Sequence, residues 1–94
     1  MGEVVYSSRR PCQQPGYRLE VLDGELLLYH PGRTKMLYCS QTASLIWHLC
    51  DGRRTSREIV ELLSQAYPEA AETIPEDVQV TLGEFLRHGA IRFG

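Results

Sequence analysis

The sequence lacks a long apolar run: no uninterrupted stretch of hydrophobic residues exceeds four, as in Leu26–Tyr29. A membrane-spanning helix needs about 20 such residues, so we expect no membrane-spanning segment. The first residues also lack the basic start and the apolar stretch of a secretory signal peptide. The sequence therefore predicts a cytoplasmic protein that does not associate with membranes.

Cysteine is scarce, and the three residues present, Cys12, Cys39 and Cys50, are odd in number and widely spaced. No C-x-x-C pair and no H-E-x-x-H pattern occurs, which argues against a zinc site or a redox motif. Cys39 and Cys50 fall on apolar positions and are expected to be buried, whereas Cys12 lies in a polar segment as a free thiol. We expect neither a metal nor another cofactor.

The patterns that accompany catalysis are also absent. There is no G-x-S-x-G element, and the neighbouring acids Glu76 and Asp77 would point in different directions on a helix. Acids at this place are better explained by the favourable dipole of a first helical turn. A chain of 94 residues forms one modest core and leaves little room for a substrate cleft. We therefore predict no catalytic residues and a protein that is not an enzyme.

Positive charge is missing from a long part of the chain. The net charge is −2, and residues 58–86 contain seven acids but no lysine or arginine. A surface of this kind repels phosphate backbones and attracts basic partners. Nucleic acid is therefore not an expected partner.

The first half of the domain has the alternation of a three-stranded antiparallel meander, with strands at Tyr17–Leu22, Glu25–His30 and Lys35–Cys39. Asp23-Gly24 predicts a tight hairpin turn, because both residue types tolerate positive φ. The middle strand is apolar on both faces, which is typical of a central strand. The third strand is then left at an edge of the sheet.

The second half predicts three short helices. Ser40 is a suitable N-cap for the first, and Thr55 and Thr73 each begin a capping-box pattern for the second and third. Gly52 and Gly89 follow helices one and three, and Ala90–Phe93 is a candidate final strand. Apolar residues recur at helical spacing on one face of each helix: Ala43, Ile46, Trp47 and Cys50; Ile59, Leu62, Leu63 and Ala66; Val78, Leu82, Phe85 and Leu86.

These elements predict an α+β fold of winged helix-turn-helix-like form, with a three-stranded antiparallel sheet followed by three helices. Residues 17–94 would form the domain. Residues 1–16 would form an N-terminal arm, in which Val4-Val5-Tyr6 is a candidate short strand.

The third strand leaves three functional alternatives open. Its apolar edge could accept a peptide as an added strand. It could instead be shielded by the arm, by helix three or by a second subunit, so a structural, self-associating homodimer is a second possibility. A winged helix could also bind DNA, but its third helix would bring Glu76, Asp77 and Glu84 toward the phosphates.

The sequence from Met36 to Thr55 resembles the PqqD-like family, whose pattern is an apolar strand, a helix with Ile-Trp, and Asp-Gly-x-x-Thr. Here these features are Ile46-Trp47 and Asp51–Thr55. The similarity extends over about Pro15 to Phe93. One departure is Cys39-Ser40, where Leu-Asn is commoner, although both changes keep the chemical type.

The resemblance implies a recognition element for ribosomally made, modified peptides, as in PQQ biosynthesis or lasso-peptide pathways. Such domains bind the leader segment of a precursor peptide and deliver it to a radical SAM protein or a leader peptidase. In the family the leader pairs with strand three in a groove against helix three. Leu37 and Cys39 would then point inward and Met36 and Tyr38 outward.

Carried onto this chain, the resemblance implies a peptide-binding set from both walls of the groove. Phe85 would lie at the shoulder of the core stripe and form the groove floor, and two acids of helix three would meet basic residues of a leader. The complete set is Lys35, Met36, Leu37, Tyr38, Cys39, Asp77, Thr81, Glu84 and Phe85.

Overall fold

A computed structural model describes residues 8–94, so the candidate strand at Val4-Val5-Tyr6 lies outside the described residues. Within that range four strands precede the helices and one short strand follows them, so strands and helices are largely segregated along the chain, which confirms the α+β class. In chain order they are β1 (Pro11–Gln13), β2 (Arg18–Leu22), β3 (Glu25–Tyr29), β4 (Met36–Cys39), α1 (Gln41–Leu49), α2 (Ser56–Ala66), a 3₁₀ turn (Pro68–Ala70), α3 (Ile74–Arg87) and β5 (Ile91–Phe93).

The meander β2-β3-β4 is antiparallel throughout, with β3 in the centre as predicted. Asp23 and Gly24 both have positive φ, at 53° and 78°, so the tight hairpin turn that the sequence predicted is confirmed. In the register, Leu28 lies between Leu19 of β2 and Leu37 of β4. These three leucines share the face of the sheet that packs on the helices.

A second, two-stranded sheet joins β1 to β5. The candidate strand at Ala90–Phe93 is confirmed as β5, whereas β1 and the pairing of the two were not predicted. The backbone N–H of Gly52 donates to Pro11 at 3.0 Å, and that of Gln14 donates to Ala90 at 2.8 Å. The Gln13 side-chain amide donates to the carbonyl of Trp47 at 2.9 Å. Part of the segment expected to be an arm is therefore attached to the rest of the fold.

Two of the three predicted helix caps are confirmed. Ser40 accepts a bond from the N–H of Ala43, and Thr55 and Glu58 form a reciprocal capping box. The capping box expected at Thr73 is wrong, because its hydroxyl donates back to Ala70 at 3.1 Å. The chain enters α3 from the 3₁₀ turn, which leaves Thr73 with helical backbone angles instead of the extended ones that a capping side chain requires.

The core lies between the three helices and the inner face of the meander. Its centre is aromatic, with the rings of Trp47 and Phe85 edge to face at 5.6 Å between centroids. Three positions expected in the helical stripes are exposed instead, namely Leu62, Ala66 and Leu86. Each lies at the margin of a stripe that is wider than the helix contact beneath it. None of the helices within residues 8–94 is long and apolar enough to cross a membrane.

Candidate functional site: a groove between β4 and α3

Strand β4 has a free edge in the part of the chain that the structure describes. It pairs with β3 on one side, and no described residue pairs with it on the other. Residues 8–16 of the expected arm do not pair with it, because β1 within them pairs with β5. An edge of this kind presents N–H and C=O groups that can pair with another extended chain.

The side chains of β4 alternate between the two faces of the sheet. Leu37 and Cys39 are half-buried and pack against the core, whereas Met36 and Tyr38 are 54% and 69% exposed. The inward and outward positions are those that the family resemblance implied. Tyr38 lies opposite Leu27 in the register, so the two share the outer face of the sheet.

Helix α3 forms the opposite wall and runs against the direction of β4. Glu84 lies near Cys39: burial is the main cause that raises the pKa of the Cys39 thiol, and the charge of Glu84 raises it further. Closer to the start of α3, Asp77 and Thr81 line a small cleft of about 250 Å³ together with Ser40, the residue that follows β4. This end of the groove is therefore acidic.

The other end of the groove opens into a larger cleft of about 750 Å³. Leu28 and Leu37 contribute its apolar surface, and Tyr17 closes one side by donating a hydrogen bond from its hydroxyl to the carbonyl of His88 at 2.9 Å. The remaining lining includes a group of basic residues from the turn before β4 and from the end of α3: Arg33, Lys35, Arg87 and His88.

The structure brings most of the predicted residues together in this groove. Asp77 is exposed, and Thr81 and Glu84 are half-buried on the wall that faces the β4 side. Phe85 is the correction: it is 0% exposed and belongs to the centre of the core, not to the shoulder of the stripe. The Trp47 ring packs edge to face against the Phe85 ring and helps to cover it. Phe85 therefore supports the groove from beneath and offers it no accessible surface.

The sequence did not predict the basic cleft. Tyr17, Arg33 and Arg87 come from three separate parts of the chain and share no spacing that would place them together. They meet because Tyr17, the residue before β2, donates to the carbonyl of His88 at the end of α3 and accepts a hydrogen bond from Arg33. The sequence shows that lysine and arginine residues flank the acidic segment, but it does not show that some of them meet in one cleft.

Possible metal ligands and the buried Cys50 thiol can be located within residues 8–94. No group of three or more His, Cys, Asp or Glu residues within 8–94 is arranged to hold a metal ion. Burial, followed by the charges of Asp51 and Cys12, raises the pKa of the Cys50 thiol to about 12, so this cysteine is protonated at neutral pH.

Comparison with known proteins places this chain in the family that its sequence pattern resembles. The family model described as coenzyme PQQ synthesis protein D (PqqD) matches residues 25–91, from β3 to β5. A protein of Pseudomonas putida (strain W619) named PqqA binding protein is 36% identical over 80 residues, covering 79% of this chain and 85% of the relative. A PqqA binding protein of Pseudomonas entomophila (strain L48) is 34% identical over the same shares of the two chains. No solved structure matches the chain.

Proposed function

This chain belongs to the PqqD family, and on that basis we propose that it is a non-catalytic protein that binds the leader segment of a precursor peptide. The leader adds as a strand to β4, lies in the groove against α3, and is presented to a modifying enzyme such as a radical SAM protein, or to a leader peptidase. The similar Pseudomonas proteins named for PqqA binding support a peptide ligand.

The observation that carries the proposal is the free edge of β4 beside a groove. A peptide paired with this edge satisfies backbone groups that otherwise depend on water, and its alternate side chains point to opposite faces. One set enters the groove over Leu37 and Cys39. The other set lies on the outer face beside Met36 and Tyr38, which are exposed enough to be contacted.

The groove also has a chemical preference. Leu37 and Cys39 offer an apolar surface, and Asp77 and Glu84 supply negative charge along the opposite wall. We expect a bound leader to place apolar residues over β4 and a lysine or arginine near the acids of α3. Such contacts add specificity to the affinity that backbone pairing provides.

An amide NMR titration of the labelled protein tests the proposal. The probes are the PqqA peptide of Pseudomonas putida and the leader segments of short precursor peptides encoded beside this chain. We expect shifts concentrated in Lys35–Cys39 and in Asp77–His88. A matched probe with proline in the paired segment lacks an N–H and should bind more weakly. Shifts elsewhere, or none with any leader, would remove the proposed function.

A further inference from the structure

The large cleft at the Lys35 end of the groove is lined by cations without carboxylates. Arg33, Lys35 and Arg87 face it, and none of its lining residues is acidic. Within residues 8–94 the one ion pair joins Arg54 to Asp51, away from the groove. The three cations therefore lack a carboxylate partner in the described part of the chain. Clustered cations repel one another, and an anion placed among them would relieve that repulsion.

One of these cations is held in place. The Nη1 of Arg33 donates to the Tyr17 hydroxyl oxygen at 3.2 Å, and its guanidinium lies 5.9 Å from the centroid of the Tyr17 ring. The Tyr17 hydroxyl in turn donates to the carbonyl of His88. A guanidinium carries five donors in a planar fork that suits a carboxylate, and this contact uses only Nη1. Arg33 is thus oriented before any ligand arrives, which lowers the entropy that binding must overcome.

The opposite end of the same groove has the opposite charge. Glu76 and Asp77 line the cleft beside Ser40, and Glu84 lies near Cys39, whereas Arg87 lies at the Lys35 end. The groove is therefore negative where β4 ends and positive where β4 begins.

We propose that the basic cleft binds a carboxylate side chain of the peptide that is paired with β4, so that the groove selects peptides by the order of their charges. This inference rests on the proposed function and extends it, because it names an acidic residue of the leader as a recognition element. The acids of α3 bind a lysine or arginine of the same peptide.

The length of β4 gives the spacing, and an antiparallel direction of the added peptide gives the order. Strand β4 has four residues, which at about 3.3 Å per residue corresponds to about 13 Å between the two ends of the groove. All strand pairs in the described structure are antiparallel, and an antiparallel peptide would begin near Asp77 and end near Arg87. The preferred leader therefore carries a basic residue followed about four to six residues later by Asp or Glu.

The test uses the leader that shifts β4 most strongly in the titration. Each of its acidic residues is changed in turn to the corresponding amide, and the dissociation constant is measured by calorimetry for the protein and for Arg87→Gln. We expect one peptide change and Arg87→Gln each to weaken binding by about three- to tenfold, as for a partly exposed charged hydrogen bond. Their combination should weaken it no further, since both remove one contact.

Arg57→Gln is the matched control, because this exposed arginine of α2 lies outside both clefts and removes the same charge. Lys35→Gln repeats the test at a second wall of the cleft. If Arg87→Gln, Lys35→Gln and the peptide amides all bind like the parent pair while β4 still shifts, the carboxylate site is overturned and the proposed function stands. If no leader shifts β4 at all, both are overturned.

Discussion

At the scale of a single residue, the reactivity of the Cys39 thiol depends on its surroundings in the groove. Its pKa is raised first by burial and then by the charge of Glu84, so its thiol is protonated at neutral pH and alkylates slowly. In Glu84→Gln the second cause is removed, and we expect the alkylation rate of Cys39 to begin rising at lower pH. The rate with iodoacetamide is followed by mass spectrometry across a pH series. Glu61→Gln, an exposed acid on α2, should leave the profile unchanged.

The same reagent can detect a bound peptide. A leader that pairs with β4 covers the inward face over Cys39 and should slow its alkylation, whereas Cys12 on β1 should react at the same rate with and without peptide. Equal protection of both cysteines would point to a general stabilisation and contradict a local site.

Asp51 links stability to pH at the turn between α1 and α2. Its carboxylate accepts from the N–H of Arg53 at 2.9 Å and pairs with Arg54 at 2.9 Å, and these contacts lower its pKa. A lowered pKa in the folded state gives a stabilisation that is present above the unfolded pKa and is lost as pH falls through the folded one.

We expect Asp51→Ala to lower the free energy of unfolding by about 1 kcal/mol near neutral pH, with a smaller loss below about pH 3. Because the pair is exposed, its ionic part is small, and Asp51→Asn, which keeps the backbone acceptor, should lose only about 0.5 kcal/mol. Urea unfolding at the two pH values measures the differences. A loss for Asp51→Ala that does not change with pH would contradict the assignment.

At the scale of the elements, the meander and the helices could be predicted because their patterns are local. Asp23-Gly24 determines its own turn, and Thr55 and Glu58 form a capping box within four residues. The β1-β5 sheet could not be predicted, because Pro11–Gln13 is too short for an alternation and its partner lies at the other end of the chain. The predicted cap at Thr73 was wrong because the chain enters α3 from the 3₁₀ turn, which gives Thr73 helical backbone angles.

The attachment of β1 to the fold predicts a specific stability effect. Gln13→Ala removes the side-chain bond to the Trp47 carbonyl and should lower the free energy of unfolding by about 1 kcal/mol. Gln14 forms its described bond through the backbone, so Gln14→Ala is the matched control and should cost much less. Chemical denaturation of both variants measures the difference. Equal effects would indicate that the Gln13 bond contributes no stability.

At the scale of the whole molecule, one half of the groove was visible in the sequence and the other half was not. The acids of α3 and the apolar edge strand lie in continuous segments with clear patterns. The basic cleft depends on the packing of Tyr17 against the end of α3, which no local pattern specifies. The domain boundary after residue 16 and the cytoplasmic location stay predictions, as does the likeness to a winged helix.

The properties of the free β4 edge also bear on the oligomeric state that we expect. Strand β4 is only four residues long and begins beside an exposed lysine, both of which disfavour edge-to-edge pairing of two copies. We expect a monomer in sedimentation velocity at tens of micromolar, and a complex with one leader per protein. A dimer that dissociates when leader is added would show that two copies pair through the same edge. The peptide-free protein would then be a dimer and not the expected monomer.

The most direct test of strand addition is to map the backbone contacts between a bound, labelled leader and β4. We expect interstrand nuclear Overhauser effects to Met36–Cys39 in an antiparallel pattern, with slowed amide exchange along the strand. Saturating binding without contacts to β4, for instance in the adjoining cleft of about 480 Å³ lined by Leu45, Leu63 and Tyr67, would contradict it.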